Sequence, residues 1–275
     1  MTFGARLRAA MDTRGPLCVG IDPHPSLLAD WRLGDDAKGL DRFAMVAVEA
    51  LAPRVAMLKP QSAFFERHGS AGVAVLERLV VQARAAGCLV LLDVKRGDIG
   101  STVQAYADAY LEPSSPLACD AVTASPFLGF GSLDPMLDTA LRHDRGVFVL
   151  ALTSNREGAD VQQARGADGQ TVAGSVLAQV AARNRDVRPM GSVGAVVGAT
   201  IGETTEDLAV NGPLLVPGVG AQGGGADDVR RIFAGCLDMV VPATSRAVLT
   251  AGPEVSALAD RAAEIAEEFT ALVTG

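Results

Sequence analysis

The sequence predicts an α/β protein, an eight-stranded parallel (β/α)8 barrel of the TIM type, on three observations. Eight short apolar runs recur along its 275 residues, with amphipathic stretches between them. The runs are near-continuous in Val, Leu, Ile and Ala rather than alternating, as parallel strands covered on both faces require. Polar residues stand at the C-terminal end of nearly every run, and in a barrel those ends converge on one active-site mouth. Dividing 275 residues among eight units gives about 34 each, close to the ~30 that a strand, a helix and two short loops need.

The first strand, residues 17–21, runs into Gly20-Ile21-Asp22-Pro23. No Gly-x-Gly-x-x-Gly follows it, which counts against the competing open doubly wound sheet. Further strands are expected at 55–58, 88–92, 120–124, 147–152, 193–197, 214–216 and 237–241. Amphipathic helices are expected at 42–52, 73–86, 103–111, 172–185 and 227–233, with 255–273 closing the chain. Gly15, Pro53, Gly87 and Gly146 punctuate the turns. The polar segment 154–170 after the fifth strand reads as a candidate mobile loop, and Trp31, in a polar insertion after the first, as a local packing anchor. With no linker, repeat or low-complexity tract, residues 1–275 read as a single barrel domain.

Hydrophobic residues make up 49% of the chain and charged residues 20%, enough to build a core and to exclude disorder as the dominant state. Lys plus Arg is 24 against 32 Asp plus Glu, so 24 − 32 = −8; with no basic run, no nucleic acid is expected as a partner. No run of about 18 uncharged apolar residues occurs, so no membrane association is expected. The N-terminus carries Arg6, Arg8 and Asp12 without an apolar signal core, which points to a cytoplasmic protein. Cys18, Cys88, Cys119 and Cys236 are widely spaced in apolar runs and read as buried, inert thiols. His24, His68 and His143 are scattered without metal-ligand spacing, so no metal is expected.

The most informative segment is Leu91-Leu92-Asp93-Val94-Lys95-Arg96-Gly97-Asp98-Ile99-Gly100-Ser101-Thr102. Side chains alternate across a strand, so Asp93 and Lys95 share one face while Val94 packs on the other. Lys59 ends the second strand in Met57-Leu58-Lys59-Pro60, Asp22 ends the first, and Asp98 follows Lys95 beyond Gly97. Five charges of alternating sign, Asp22, Lys59, Asp93, Lys95 and Asp98, are thus expected around one small space. Desolvating such a cluster is costly, and it makes a poor structural network for an apolar interior; a functional role is favoured over an ordinary solvated pair.

A second site is expected from the last two strands. The seventh runs into Pro217-Gly218-Val219-Gly220-Ala221-Gln222-Gly223-Gly224-Gly225-Ala226-Asp227-Asp228, with five glycines in eight residues. Such a loop lets backbone N–H groups approach an anion, and a helix beginning near Asp227 would present its positive end. The eighth strand leads to Thr244-Ser245-Arg246, whose guanidinium can grip two phosphate oxygens at the usual phosphate position of such barrels.

The run Asp93-Val94-Lys95-Arg96-Gly97-Asp98-Ile99, with Lys59 before it and Pro217, Gln222 and Arg246 after it, resembles the orotidine 5′-phosphate decarboxylase family. The resemblance extends from the first strand to the eighth. Gly20-Ile21-Asp22-Pro23-His24-Pro25, Lys59-Pro60-Gln61-Ser62-Ala63-Phe64-Phe65-Glu66 and Thr153-Ser154-Asn155 look like its bacterial subgroup with a longer first loop. The resemblance implies removal of carbon dioxide from C6 of orotidine 5′-phosphate, giving uridine 5′-phosphate in pyrimidine nucleotide synthesis, without metal or organic cofactor. It implies a homodimer with shared active sites, Asp98 and Thr102 serving the neighbouring subunit. It also implies that Asp22 and Lys59 hold ribose hydroxyls, with Lys59 orienting Asp93, while Gln222 and Arg246 take the phosphate. Ser154 and the backbone near Ser125 would address the pyrimidine.

The chemistry accounts for these residue types. Loss of carbon dioxide from C6 leaves an electron pair in the ring plane, where no adjacent carbonyl delocalises it. A fixed ammonium flanked by carboxylates stabilises such a carbanion without reorganising, and Lys95 then supplies the proton. In the chemistry the resemblance implies, Asp93 would position Lys95 and stand near the departing carboxylate. Three alternatives share parts of the pattern. One is a barrel lyase of the 3-keto-6-phosphogulonate decarboxylase type, which recruits magnesium to an enediolate. The others are a Schiff-base aldolase using Lys59 or Lys95 as nucleophile, and a non-catalytic barrel that binds a phosphorylated ligand.

Overall fold

The computed structural model describes residues 1–220 and 223–274. Eight strands form one closed barrel in sequence order: β1 (Cys18–Ile21), β2 (Met57–Pro60), β3 (Leu89–Arg96), β4 (Ala121–Ala124), β5 (Gly146–Leu152), β6 (Val193–Val197), β7 (Leu214–Pro217) and β8 (Val240–Thr244). Every pairing is parallel, and β1 pairs with both β2 and β8, which closes the sheet and leaves no edge. The expected (β/α)8 barrel is present, with helices Ala37–Leu51, Gly69–Ala85, Gly100–Leu111, Val172–Asn184 and Val255–Thr274 packed around it.

Three strands depart from the apolar runs by more than one residue at an end. β2 starts at Met57 because Val55 and Ala56 belong to the preceding bend. β3 continues to Arg96, so the charged segment lies within the strand rather than after it. β8 starts at Val240 because Leu237–Met239 forms a 3₁₀ turn. The repeat of eight strand–helix units also breaks down, since residues 198–213 connect β6 to β7 without a helix. Leu208 and Val210 of that connection are buried and provide the apolar cover a helix would give. Conversely, the helix Asp134–Arg142 between β4 and β5, with Pro135 in its first turn, went unmarked by periodicity. Segment 154–170, expected as a mobile loop, contains a 3₁₀ turn (Arg156–Gly158) and a short helix (Ala159–Gln162). The Gln162 amide ties it back, donating to Thr153 Oγ1 at 2.6 Å and accepting the Thr153 N–H at 3.0 Å.

Strand alternation divides the core into two layers. Val19, Leu58, Val90 and Val94 face the helices, while Cys18, Met57, Leu91, Phe148 and Val241 fill the barrel interior. The N-terminal helix Phe3–Arg14 closes the bottom of that interior with Phe3, Leu7 and Met11. Phe3 meets Phe148 edge to face at 6.0 Å, and a Cβ on Gly146 would fall 2.3 Å from the Phe3 ring. Arg6 and Arg145 pin this end through the buried Asp120, at 2.7 and 3.0 Å. Trp31 anchors the insertion after β1 as expected, donating to the Leu249 carbonyl at 3.0 Å and packing on Phe43. The four thiols are free and buried; burial pushes Cys18, Cys88 and Cys119 up to about 12 and Cys236 to about 11, which keeps them unreactive. Among the described residues no helix is long and apolar enough to cross a membrane.

Because the Phe3 ring is fully enclosed, Phe3→Ala opens a void against Gly146 and Phe148. It is expected to cost about 3 to 5 kcal/mol in urea unfolding at pH 7. A loss below about 1 kcal/mol would mean that the helix is peripheral to the barrel.

Candidate active site

The C-terminal ends of the strands open into a cavity of ≈ 350 Å³ whose wall includes Asp22, Lys59, Asp93, Pro217 and Arg246. That volume lies within the ~300–1,000 Å³ typical of small-molecule sites. Alternation delivers the charges: on β2 the inward positions are Met57 and then Lys59, and on β3 they are Leu89, Leu91 and then Asp93. Each strand is apolar in the barrel interior and charged only at the mouth.

Asp93 is buried and shared among three donors. Lys59 Nζ lies 3.1 Å from Oδ2, Lys95 Nζ 2.6 Å from Oδ1, and the Thr123 hydroxyl donates to Oδ1 at 2.8 Å. Burial alone would push the carboxyl up. The charges of Lys59 and Lys95, with hydrogen bonds from Lys95 and Thr123, outweigh it and bring Asp93 down to about 2. Burial likewise opposes the Lys59 ammonium, yet the carboxylates of Asp93 and Asp22 hold it above the usual lysine range. Both groups are therefore ionised at neutral pH.

Lys95 reaches this centre from a break in the strand. The β3–β4 register shifts between Leu92 and Arg96, and Lys95 has φ = 45°, in the left-handed region that a lysine adopts only under constraint. Its side chain is 45% exposed, and Nζ also lies 3.4 Å from Gln61 Oε1. Gly97 follows because a Cβ there would fall 2.2 Å from the Ser125 carbonyl oxygen. On the adjoining strand β1, whose Gly20 pairs with Lys59, Asp22 and Ser245 converge, and a Cβ on Gly20 would come within 2.9 Å of Ser245 Cβ and 3.1 Å of Asp22 Oδ2. Asp22 Oδ1 and Ser245 Oγ are buried without a hydrogen-bond partner among the described residues, so both are available to the hydroxyls of a ligand.

The phosphate end differs from expectation. Gly220 and Gly223 donate to the Gly224 and Gly220 carbonyls, both at 2.8 Å, and Gly224 donates to Gly218 at 3.2 Å, so the described part of the loop folds on itself. At the start of the helix Ala226–Ile232, Asp228 accepts the Gly225 N–H at 3.2 Å. The expected cradle is corrected for Gly220, Gly223 and Gly224, whose amides are spent within the loop, while Gly218 and Val219 line the cavity. Arg246, exposed at the start of the helix Arg246–Leu249, is the cation on this side of the cavity, beside Pro217 and Gly218. Gln222 lies outside the described residues.

Four of the five expected charges meet, and the expectation is corrected for the fifth. Asp98 turns to its own loop, accepting the Ile99 N–H at 2.8 Å, and Thr102 is exposed on the first turn of Gly100–Leu111. Ser125 and Ser154 follow β4 and β5 but are not on the wall of this cavity. Ser125 lines a separate groove of ≈ 340 Å³ with Phe127 and Asn155, and Ser154 is exposed.

Three residues near the centre were missed. Gln61 extends β2 by an isolated bridge to Asp93, and its place two residues after Lys59 is the alternation signal that marked it. His24, grouped in sequence with scattered histidines, lines the cavity and packs on Phe64 at 4.2 Å. Thr123 is the inward position of β4 two residues beyond Ala121. Among the described residues no three His, Cys, Asp or Glu side chains are grouped to hold a metal ion.

Together these features define a class, the (β/α)8-barrel enzymes with a lysine–carboxylate centre in the C-terminal mouth. Comparison with known proteins narrows it. The model of the orotidine 5′-phosphate decarboxylase / HUMPS family matches residues 15–260. An orotidine 5′-phosphate decarboxylase from Salinispora arenicola is 63% identical over 275 residues, covering 100% of this chain and 99% of the relative. The crystal structure of a Streptomyces avermitilis protein, 58% identical, superposes with a TM-score of 0.98 over 100% of this chain and 96% of that one. The OMP decarboxylase of Leishmania donovani, 28% identical, gives 0.77 with both chains covered at 100%. The chain belongs to the orotidine 5′-phosphate decarboxylase / HUMPS family.

The Asp93 pairing gives the fold a defined pH dependence. Its carboxyl falls from the usual 3.8 to about 2 on folding, worth roughly 2 kcal/mol. Because the folded value is the lower one, this stability is complete above pH 3.8 and is lost as pH falls through about 2. Urea unfolding is expected to place Asp93→Asn below the wild type by about that amount at pH 5 to 7, with the gap closing toward pH 2. A gap independent of pH would contradict the assignment.

Proposed function

We propose that this protein decarboxylates orotidine 5′-phosphate at C6, releasing carbon dioxide and uridine 5′-phosphate in pyrimidine nucleotide synthesis. The observation that carries this is the Asp93 carboxylate held between the ammonium groups of Lys59 and Lys95 at the floor of one cavity. Family membership supports it.

Asp22 and Lys59 take the ribose hydroxyls, and Lys59 also orients Asp93. Arg246, with Gln222, takes the phosphate beside Pro217. The C6–carboxylate bond breaks with its electron pair left on C6; the fixed Lys95 ammonium stabilises that pair and then transfers a proton to C6. Solvent returns the proton to Lys95, and no cofactor enters the electron balance. Asp93 keeps the amine against the reacting carbon, and its charge beside the departing carboxylate disfavours the bound acid. Ser125 and Ser154 address the pyrimidine from the rim once their loops close over it.

A second copy completes the site, with Asp98 and Thr102 serving the neighbouring subunit. The exposure of Thr102, and of Ile99, Phe127 and Leu128 on the same and adjoining loops, supports a covered surface there. The enzyme is cytoplasmic in this reading, in keeping with its free, buried thiols.

Lys95→Ala removes both the stabilising charge and the proton donor. It is expected to lower kcat by about 10⁴-fold or more with an unchanged far-UV spectrum, and near-normal turnover would refute the assignment. Arg246→Ala should raise KM for orotidine 5′-phosphate about 10- to 100-fold, as loss of a charged hydrogen bond implies. It should leave the phosphate-free nucleoside unaffected; equal losses on both would show that Arg246 does not bind phosphate. Activity is expected to persist in excess chelator. Loss that magnesium restores would favour enediolate chemistry, and borohydride trapping of a lysine adduct would favour an aldolase.

A further inference from the structure

We propose that Thr123 is a positioning residue for the proton donor, its single hydroxyl fixing both Asp93 and the backbone of Lys95. The inference rests on the reading that Lys95 protonates the substrate carbon. Thr123 occupies the inward position of β4 beneath the charged centre and is 1% exposed. Where β3 shifts register against β4, the Lys95 N–H leaves the strand ladder and donates to Thr123 Oγ1 at 2.9 Å. The hydroxyl has one proton of its own and gives it to Asp93 Oδ1 at 2.8 Å. Lys95 Nζ returns to that same oxygen at 2.6 Å.

The contacts close a ring: Lys95 N–H to Thr123, Thr123 to Asp93, and Asp93 to the Lys95 ammonium. One side of the ring is the lysine side chain itself, so the left-handed backbone at Lys95 and the direction of its amine are set together. Two further features favour a rigid brace. Threonine is β-branched, with a restricted χ1, and Arg96 Nη1 approaches the Val94 carbonyl at 3.3 Å on the other side of the break. A misplaced donor slows the chemical step far more than it weakens binding, because the hydroxyl makes no demand on ribose or phosphate.

The test compares Thr123→Val, which keeps the shape and removes the hydroxyl, with Thr123→Ser, which keeps the hydroxyl. Steady-state decarboxylation of orotidine 5′-phosphate is expected to show kcat down about 10- to 100-fold for Thr123→Val, with KM changed by less than about 3-fold. Thr123→Ser is expected to restore kcat to within about 3-fold of wild type. Melting curves on the same samples correct for the folded fraction, and Thr123→Ala provides a second hydroxyl-free side chain if Thr123→Val does not fold. Wild-type kcat in a folded hydroxyl-free variant, or a Thr123→Ser variant as slow as Thr123→Val, overturns the role of Thr123 alone. Wild-type protein that releases no carbon dioxide overturns the functional reading and this role with it.

Discussion

A carboxylate enclosed by an apolar barrel stays ionised only if cations are enclosed with it, and that condition on Asp93 organises the mouth of this protein. Burial works against its charge, and two lysines on neighbouring or nearby positions outweigh burial and bring it down to about 2. The dependence is mutual. Lys59 is itself buried and keeps its proton because Asp93 and Asp22 stand beside it. Removing either Lys59 or Asp93 leaves the other as a buried charge short of its partner in a medium that screens poorly.

The barrel supplies what such a group needs. Below the charged layer the interior is filled by Met57, Leu91, Phe148 and Val241, and the N-terminal helix closes the end with Phe3 and Leu7. Water therefore reaches the centre from the mouth alone, and the pairs act across a weakly screening interior. Closure of the sheet between β1 and β8 also fixes the distance between strands that are far apart in sequence. Lys59 and Asp93 are 34 residues apart in sequence yet meet at 3.1 Å because they are neighbouring inward positions on adjacent parallel strands, Asp93 lying beside Gln61.

What the sequence revealed and what it hid follow from the range of the interactions involved. Alternation along one strand is local, so the shared face of Asp93 and Lys95, with Val94 turned to the helices, was legible. So were Lys59 and Asp22, each at the end of an apolar run. The break in β3 was not legible, because it is a property of the β3–β4 register and no glycine marks it at Lys95. Thr123 escaped notice for the same reason: its two partners lie on another strand. The glycine-rich loop misled in the opposite direction. Its composition permits amides to face an anion, but Gly220, Gly223 and Gly224 spend theirs on carbonyls of the same loop. Asp98 sits three residues after Lys95, yet beyond Gly97, where the Ser125 carbonyl leaves no room for a Cβ, it accepts the Ile99 N–H of its own loop.

In the proposed function, the charges at the mouth would let an acidic protein bind an anionic nucleotide and still favour its decarboxylation. Asp22 and Asp93 balance Lys59 and Lys95, so the buried group is neutral as a whole and offers a substrate carboxylate little net attraction. Binding energy must then come from elsewhere, and Arg246 lies on the far wall of the same cavity, toward the end where a phosphate would sit. Attraction at the phosphate is the same before and after the carbon–carbon bond breaks, so it serves capture rather than the reaction itself. In the proposed reaction the Lys95 ammonium differs, because its attraction to the ring carbon grows only as negative charge accumulates there. In the proposed function Arg246 and Lys95 divide the work, one holding the nucleotide while the other discriminates between its ground and transition states.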